Sequence, residues 1–264
     1  MNKKVSLVQM EVELGNPDAN FKRLSNLLLE SMQDNPDIIC LPETWNTGFF
    51  HTDSLESLSD NDGKKTKKFL GNFAKEHNVN IVGGSVANNK NGEIYNTCYV
   101  FDRQGNTIAE YDKIHGFSPA KETEFFKGGK NLVTFELDGI KCGVIICYDV
   151  RFLESVRSLA LEDIKLLFVP AQWPSIRVEH WKILNRARAI ENQFFVACVN
   201  GCGSAGETKY GGNSMLIDPL GEVLINAGEE ENVVSGLLDL EVIEDIRERI
   251  NIFRDRKPEL YKIR

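Results

Sequence analysis

Two kinds of hydrophobic pattern alternate along the chain. Short apolar runs bounded by Gly, Pro, Asn or Asp predict strands at 4–10, 37–41, 80–87, 98–102, 132–137, 141–147, 166–170, 194–200, 214–218, 222–226 and 233–239. Stretches whose apolar positions recur every three to four residues predict helices at 18–33, 66–77, 153–161, 176–192 and 241–249. In the first of these, Phe21, Leu24, Leu28 and Met32 fall on one face. Asn16-Pro17 just before it suits a capping side chain followed by proline in the first turn. "NNKNGEIYN" and "DPLGEV" read as hairpins.

The order is βαβαβ, then hairpins, then βαβα and more hairpins. Helices interleaved with strands and hairpins predict an α/β sandwich with mixed sheets, not an all-parallel barrel. No linker, composition shift or internal repeat divides the chain, so a single domain over 1–264 is expected.

Composition and charge narrow the function. A formal charge of −8 argues against a nucleic-acid binder, which would carry a basic face. No run approaches about eighteen apolar residues, so no membrane span is expected. The opening "MNKKVSLVQMEVEL" lacks the apolar core and small-residue cleavage site of a secretory signal, which makes a cytoplasmic location the expectation. The six cysteines (40, 98, 142, 147, 198 and 202) are then free thiols rather than disulfides. With no CxxC or HxxxH, and histidines scattered at 51, 77, 115 and 180, no zinc site is expected.

Three segments put reactive side chains at or just beyond strand ends: "DIICLPETW" with Glu43, "YDKIHGF" with Lys113, and "GVIICYDVRF" with Cys147. Each alone has a plain reading, as a surface acid, a charged loop and a packed thiol. Together they have a chemical logic. A carboxylate can take a thiol proton and return it to a departing amine, and a lysine can stabilise a carbonyl oxyanion. Such a set needs no metal and no cofactor. "GCGSAG" (201–206) fits a dinucleotide fingerprint but leads into another strand, not a helix, so no helix N-terminus awaits a pyrophosphate. "RARAIENQ" (186–193) is read as a buried or interface helix with Glu191 and its arginines paired.

In this combination the sequence resembles the nitrilase superfamily of carbon–nitrogen hydrolases. The resemblance runs from "VSLVQMEVELGNPDANF" to "GNSMLIDPLGEVL" and "LDLEVIEDIRE", with "LPET", "YDKIH" and "CYDVRF" carrying the Glu43, Lys113 and Cys147 motifs. It implies a four-layer α-β-β-α sandwich with two mixed β-sheets, pairing through one helical face into a homodimer. It also implies that Cys147 sits at a strand-to-helix turn, with the N–H of Tyr148 as an oxyanion donor and with Asp149 and Arg151 holding the turn. Members carry a second active-site glutamate seven residues before a glycine. In "KETEFFKGG" that spacing leads from Gly129 to Glu122, with Glu124 the alternative.

The stretch "AQWPSIRVEHWKILNRARAIENQFFVACVNGCG" resembles the omega-amidase-like branch, whose substrates are 2-oxo dicarboxylic monoamides such as 2-oxoglutaramate and 2-oxosuccinamate. The resemblance therefore implies a small-molecule amide substrate with an anionic end. Arg151, Arg177 and Lys209 are candidate cations for that end, and Trp173 and Phe49 are candidate pocket walls. The alternatives are a nitrilase, a carbamoylase or another small aliphatic amidase, and, from a different class, a non-catalytic binding scaffold.

Overall fold

The computed structural model describes residues 2–49 and 54–261, so His51 lies outside the described residues. In chain order the elements are β1 (Asn2–Gln9), α1 (Pro17–Ser31), β2 (Ile38–Cys40), α2 (Leu55–Leu58), β3 (Asp60–Asn61), α3 (Lys64–His77), β4 (Asn80–Val82), β5 (Val86–Lys90), β6 (Glu93–Phe101) and β7 (Thr107–Asp112). Next come α4 (Glu122–Phe125), β8 (Thr134–Leu137), β9 (Ile140–Val144), α5 (Leu153–Leu161), β10 (Leu166–Ala171), α6 (Val178–Asn192) and β11 (Phe195–Asn200). They are followed by β12 (Ser204–Ala205), β13 (Thr208–Lys209), β14 (Met215–Ile217), β15 (Val223–Asn226), β16 (Asn232–Asp239), α7 (Glu241–Arg249) and α8 (Ile252–Asp255).

Two mixed sheets result. In the first, β1, β2 and β4 run parallel, while β16 pairs antiparallel with β1, and β6 pairs antiparallel with β4, β5 and β7. In the second, β9, β10 and β11 run parallel, with β8 antiparallel to β9, and β14 and β15 antiparallel beyond β11.

Side-chain alternation makes the layers. Along β1 and β2, Val5, Leu7, Ile38 and Cys40 join the core shared with the second sheet, where Val144, Phe168 and Ala197 meet them. The intervening Val8 and Ile39 point the other way, onto Leu24 and Leu28 of α1 and Leu70 and Ala74 of α3. Val156 and Leu159 of α5 and Trp181 of α6 extend the core on the side of the second sheet. The architecture is the four-layer α-β-β-α sandwich. The strands are apolar on both faces because both faces are covered, which is why they read as continuous apolar runs.

Local sequence explains the joints. The Asn16 side chain accepts the Ala19 N–H at 3.2 Å, with Pro17 in the first turn of α1. Asn91 and Gly92 both adopt positive φ (55° and 87°), the backbone of a tight β5–β6 hairpin. The run at 80–87 is broken at Gly83-Gly84. Gly84 has φ +62°, and a Cβ there would lie 2.0 Å from the Pro42 carbonyl oxygen. This close approach lets Ser85 N–H donate to Pro42 O (3.0 Å) and Trp45 N–H to Ser85 O (3.1 Å), fixing the segment that carries Glu43. Among the described residues, no helix is long and apolar enough to cross a membrane.

Candidate active site

The site forms beyond the C-terminal ends of parallel strands in both sheets, where α/β folds commonly bind ligands. Glu43 follows β2, Cys147 follows β9 and Gln172 follows β10, while Lys113 comes directly after the edge strand β7.

Cys147 opens a tight 3-10 turn, Cys147–Arg151, with φ at +49°. That left-handed backbone costs a non-glycine residue on the order of 1–3 kcal/mol and persists only where the surroundings enforce it. Asp149, fully buried, supplies the enforcement. One carboxylate oxygen accepts the Ile146 N–H at 3.0 Å and the Tyr111 hydroxyl at 2.7 Å. The other accepts the His115 N–H at 2.9 Å and His115 Nδ1 at 2.7 Å. The brace thus joins the nucleophile turn to the segment that carries Lys113, and the His115 ring stacks on Phe152 with centroids 3.6 Å apart.

Around the thiol lies a buried charge cluster. Lys113 Nζ donates to Glu43 Oε1 at 2.8 Å and to Glu122 Oε1 and Oε2 at 2.9 and 2.8 Å. Glu43 Oε2 accepts the Gln172 N–H at 2.8 Å, and Glu122 Oε2 accepts the Phe117 N–H at 2.6 Å. The Cys147 thiol is buried and within electrostatic reach of Glu43 and Lys113.

Burial and then the Glu43 charge push the Cys147 thiol well above its ordinary pKa, against the pull of Lys113. Burial opposes the charge on Lys113, but the carboxylates of Glu43 and Glu122 outweigh it and keep the ammonium protonated. Burial raises Glu122, partly countered by Lys113 and reinforced by Glu43. The resting nucleophile is therefore a thiol beside a carboxylate, so its proton must leave as it attacks.

The sequence-derived candidates converge. Phe49, Cys147, Tyr148, Arg151 and Trp173 line one pocket, together with Phe117, Gln172, Pro174 and Arg177. The guanidinium of Arg151 lies 4.9 Å from the Trp173 ring centroid, and that of Arg177 lies 5.3 Å from the Phe117 ring. Glu122 is buried in the cluster with Lys113, whereas Glu124 is exposed beside Lys121. Lys209 is a correction: it is exposed on β13 and is not among the pocket-lining residues. "GCGSAG" leads into the short β12–β13 ribbon, with no helix after it. Arg188 of α6 is buried and paired with Glu191 at 2.7 Å. Asn96, Gln172 and Phe117 were missed, because each is a single neutral residue whose sequence neighbours mark only a strand or loop. Among the described residues, no group of three or more His, Cys, Asp or Glu side chains is placed to hold a metal ion.

The family model for carbon–nitrogen hydrolases matches residues 4–248. The chain belongs to the carbon–nitrogen hydrolase family. It is 40% identical over 257 residues to the 2-oxoglutaramate amidase of Bacillus subtilis (strain 168), covering 97% of this chain and 98% of that protein. It is 35% identical over 269 residues to the omega-amidase NIT2-A of Xenopus laevis, covering 98% and 97%. The crystal structure of XC1258 from Xanthomonas campestris, a CN-hydrolase superfamily protein, superposes with a TM-score of 0.91 at 30% identity, covering 97% of this chain and 98% of that one. As a member of the family, this hydrolase is an enzyme acting on carbon–nitrogen bonds of amides, and the scaffold reading is set aside.

Proposed function

We propose that this hydrolase is an omega-amidase, releasing ammonia from small 2-oxo dicarboxylic monoamides through a thioester on Cys147. The observation that carries the reading is a pocket lined by Cys147 and by two arginines. Behind Cys147 lies the buried Lys113–Glu43 pair, whose charges act on the thiol. Arg151 and Arg177 line the same pocket, neither with a carboxylate partner within 4 Å among the described residues. An acidic protein that leaves two guanidiniums uncompensated at a pocket favours a ligand that brings its own negative charge. The names of the relatives in Bacillus and Xenopus agree with that chemistry.

In this mechanism Glu43 takes the thiol proton as Cys147 Sγ forms a bond to the amide carbon. The carbonyl oxygen becomes an oxyanion held by Lys113 Nζ and the Tyr148 N–H. The intermediate collapses by breaking the C–N bond, and Glu43 delivers its proton to the leaving nitrogen, which departs as ammonia. Water then attacks the thioester carbon with Glu43 again as base. The C–S bond breaks to release the dicarboxylic 2-oxo acid, and the proton held by Glu43 returns to the sulfur to restore the thiol. Glu122 holds Lys113 together with Glu43, while Trp173 and Phe49 wall the pocket.

The proposal extends to setting and assembly. Six free thiols suit a reducing, cytoplasmic environment. Ile183 and Ile190 of α6 and Ile176 in the turn before it are 61, 50 and 84% exposed, with Leu153 of α5 also exposed, and this apolar stripe suits a homodimer contact.

The test is ammonia release from 2-oxoglutaramate, 2-oxosuccinamate, a neutral amide of matched length and the matched nitriles. The oxo-acid amides should be turned over best, and Cys147→Ser should abolish turnover by several orders of magnitude. Faster hydrolysis of uncharged amides or nitriles would overturn the substrate class. Substantial activity in Cys147→Ser would overturn the mechanism.

A further inference from the structure

Asn96, in β6 and buried, is a neutral side chain that touches both glutamates of the cluster. Its Nδ2 donates to Glu43 Oε1 at 2.8 Å and to Glu122 Oε1 at 3.3 Å, and its backbone carbonyl oxygen accepts the Lys113 backbone N–H at 2.9 Å. The amide orientation is fixed by chemistry, since the flipped rotamer would set Oδ1 against two carboxylate oxygens. In the arrangement seen, Oδ1 is buried with no partner among the described residues. That cost is accepted so that both protons of Nδ2 face the acids.

We propose that Asn96 is a positioning residue that keeps Glu43 and Glu122 ionised together in the resting enzyme, leaving Glu43 free to take the Cys147 proton. Two buried carboxylates share one lysine, so the cluster carries an excess negative charge, and one acid would otherwise hold a proton. A second cation would cure the repulsion but would also lower the proton affinity of Glu43 and spoil it as a base. A neutral amide satisfies both inner oxygens without adding charge. The other titratable groups facing the cluster are Lys113 and Cys147, with the buried Tyr210 hydroxyl beyond them. On β5 the residue opposite Asn96 is Ala87, which does not titrate. The inference rests on Glu43 as proton carrier, and not on the identity of the amide.

The experiment follows the rate of Cys147 alkylation by iodoacetamide between pH 6 and pH 8, with the modified residue located by mass spectrometry, in wild type, Asn96→Asp and Asn96→Ala. In Asn96→Asp the near-isosteric carboxyl mimics the donor only when protonated. The ratio of its rate to wild type should therefore rise at least roughly threefold as the pH is lowered. In Asn96→Ala the glutamates lose a donor and hold protons to higher pH, so its ratio should fall over the same range. Opposite slopes support the role, and ratios independent of pH would overturn it, leaving Asn96 as packing. Thermal melts check that each variant folds, and if Asn96→Ala does not, the Asn96→Asp slope decides alone. Flat ratios alongside normal ammonia release and an inactive Cys147→Ser would sink this inference and spare the amidase reading. Opposite slopes in a protein that hydrolyses no oxo-acid amide would do the reverse.

Discussion

Replacing Asp149 with asparagine should cost both stability and rate, and the size of the loss follows from its four donors. An asparagine offers one accepting oxygen, so its NH2 group must face two of the groups that now donate. On one side these are the Ile146 N–H and the Tyr111 hydroxyl, and on the other the His115 N–H and His115 Nδ1. The hydroxyl can turn to accept, and the imidazole can change tautomer, but a backbone N–H cannot. One buried N–H therefore loses a bond to a charged acceptor, about 1.5–3 kcal/mol, and stays unpaired at about 1–3 kcal/mol more. Roughly 3–5 kcal/mol is a large part of the ~5–15 kcal/mol typical of a folded domain. For a chain of this size it corresponds to a fall in Tm of roughly 10 °C. The same brace holds Cys147 in its left-handed conformation, so kcat should fall as the turn relaxes. Circular dichroism melts with ammonia release on the same samples measure both. A Tm within about 2 °C of wild type, or an unchanged kcat in a folded variant, would refute the reasoning.

Three further outcomes are expected. Glu122→Gln should lose on the order of 100-fold or more in kcat while Glu124→Gln stays within about twofold, because only the first touches Lys113, and steady-state kinetics on 2-oxoglutaramate read the difference. Arg151→Gln or Arg177→Gln should raise KM for that substrate by roughly 10–100-fold and change turnover of a neutral amide far less, the loss of one bond between charged groups. Although burial would raise Asp138, Arg103, Asn80 and Lys3 together hold its carboxyl below its ordinary range, so it stabilises the fold above the unfolded carboxyl pKa and loses that contribution as the pH falls. Asp138→Asn should therefore lower Tm at pH 7, with the gap from wild type narrowing as melts are repeated below about pH 4.

The sequence was most legible where burial leaves little choice. Residues 166–170 and 194–200 became β10 and β11 almost without adjustment, because central parallel strands are apolar on both faces. Edge strand β7 escaped notice since its Thr107, Ile108 and Glu110 are exposed and set up no clean alternation. The 80–87 run split in two because the Gly84 turn depends on contact with Pro42, a residue from another segment. Likewise, 98–102 covers only the end of β6, whose first five residues, Glu93–Thr97, mix polar with apolar side chains and show no apolar run. At the site, charged and nucleophilic residues stood out because their chemistry is unusual beside apolar strands. Asn96 and Gln172 did not, since only the folded chain brings their amides and backbone groups against Glu43.

The division of the site between two sheets bears on the order of events during folding. Glu43, Lys113 and Glu122 come from segments that trail the first sheet, while Cys147 and Gln172 trail the second. Neither half alone surrounds the sulfur with a base and a cation. In a chain still emerging, or in an intermediate with one sheet formed, Cys147 is an ordinary thiol with no carboxylate to draw off its proton. Reactivity switches on only at docking, so the assembly step protects the unfinished chain from chemistry at its own nucleophile. The moment at which that thiol changes character during refolding is then a clock for docking, separate from the earlier appearance of helices and strands.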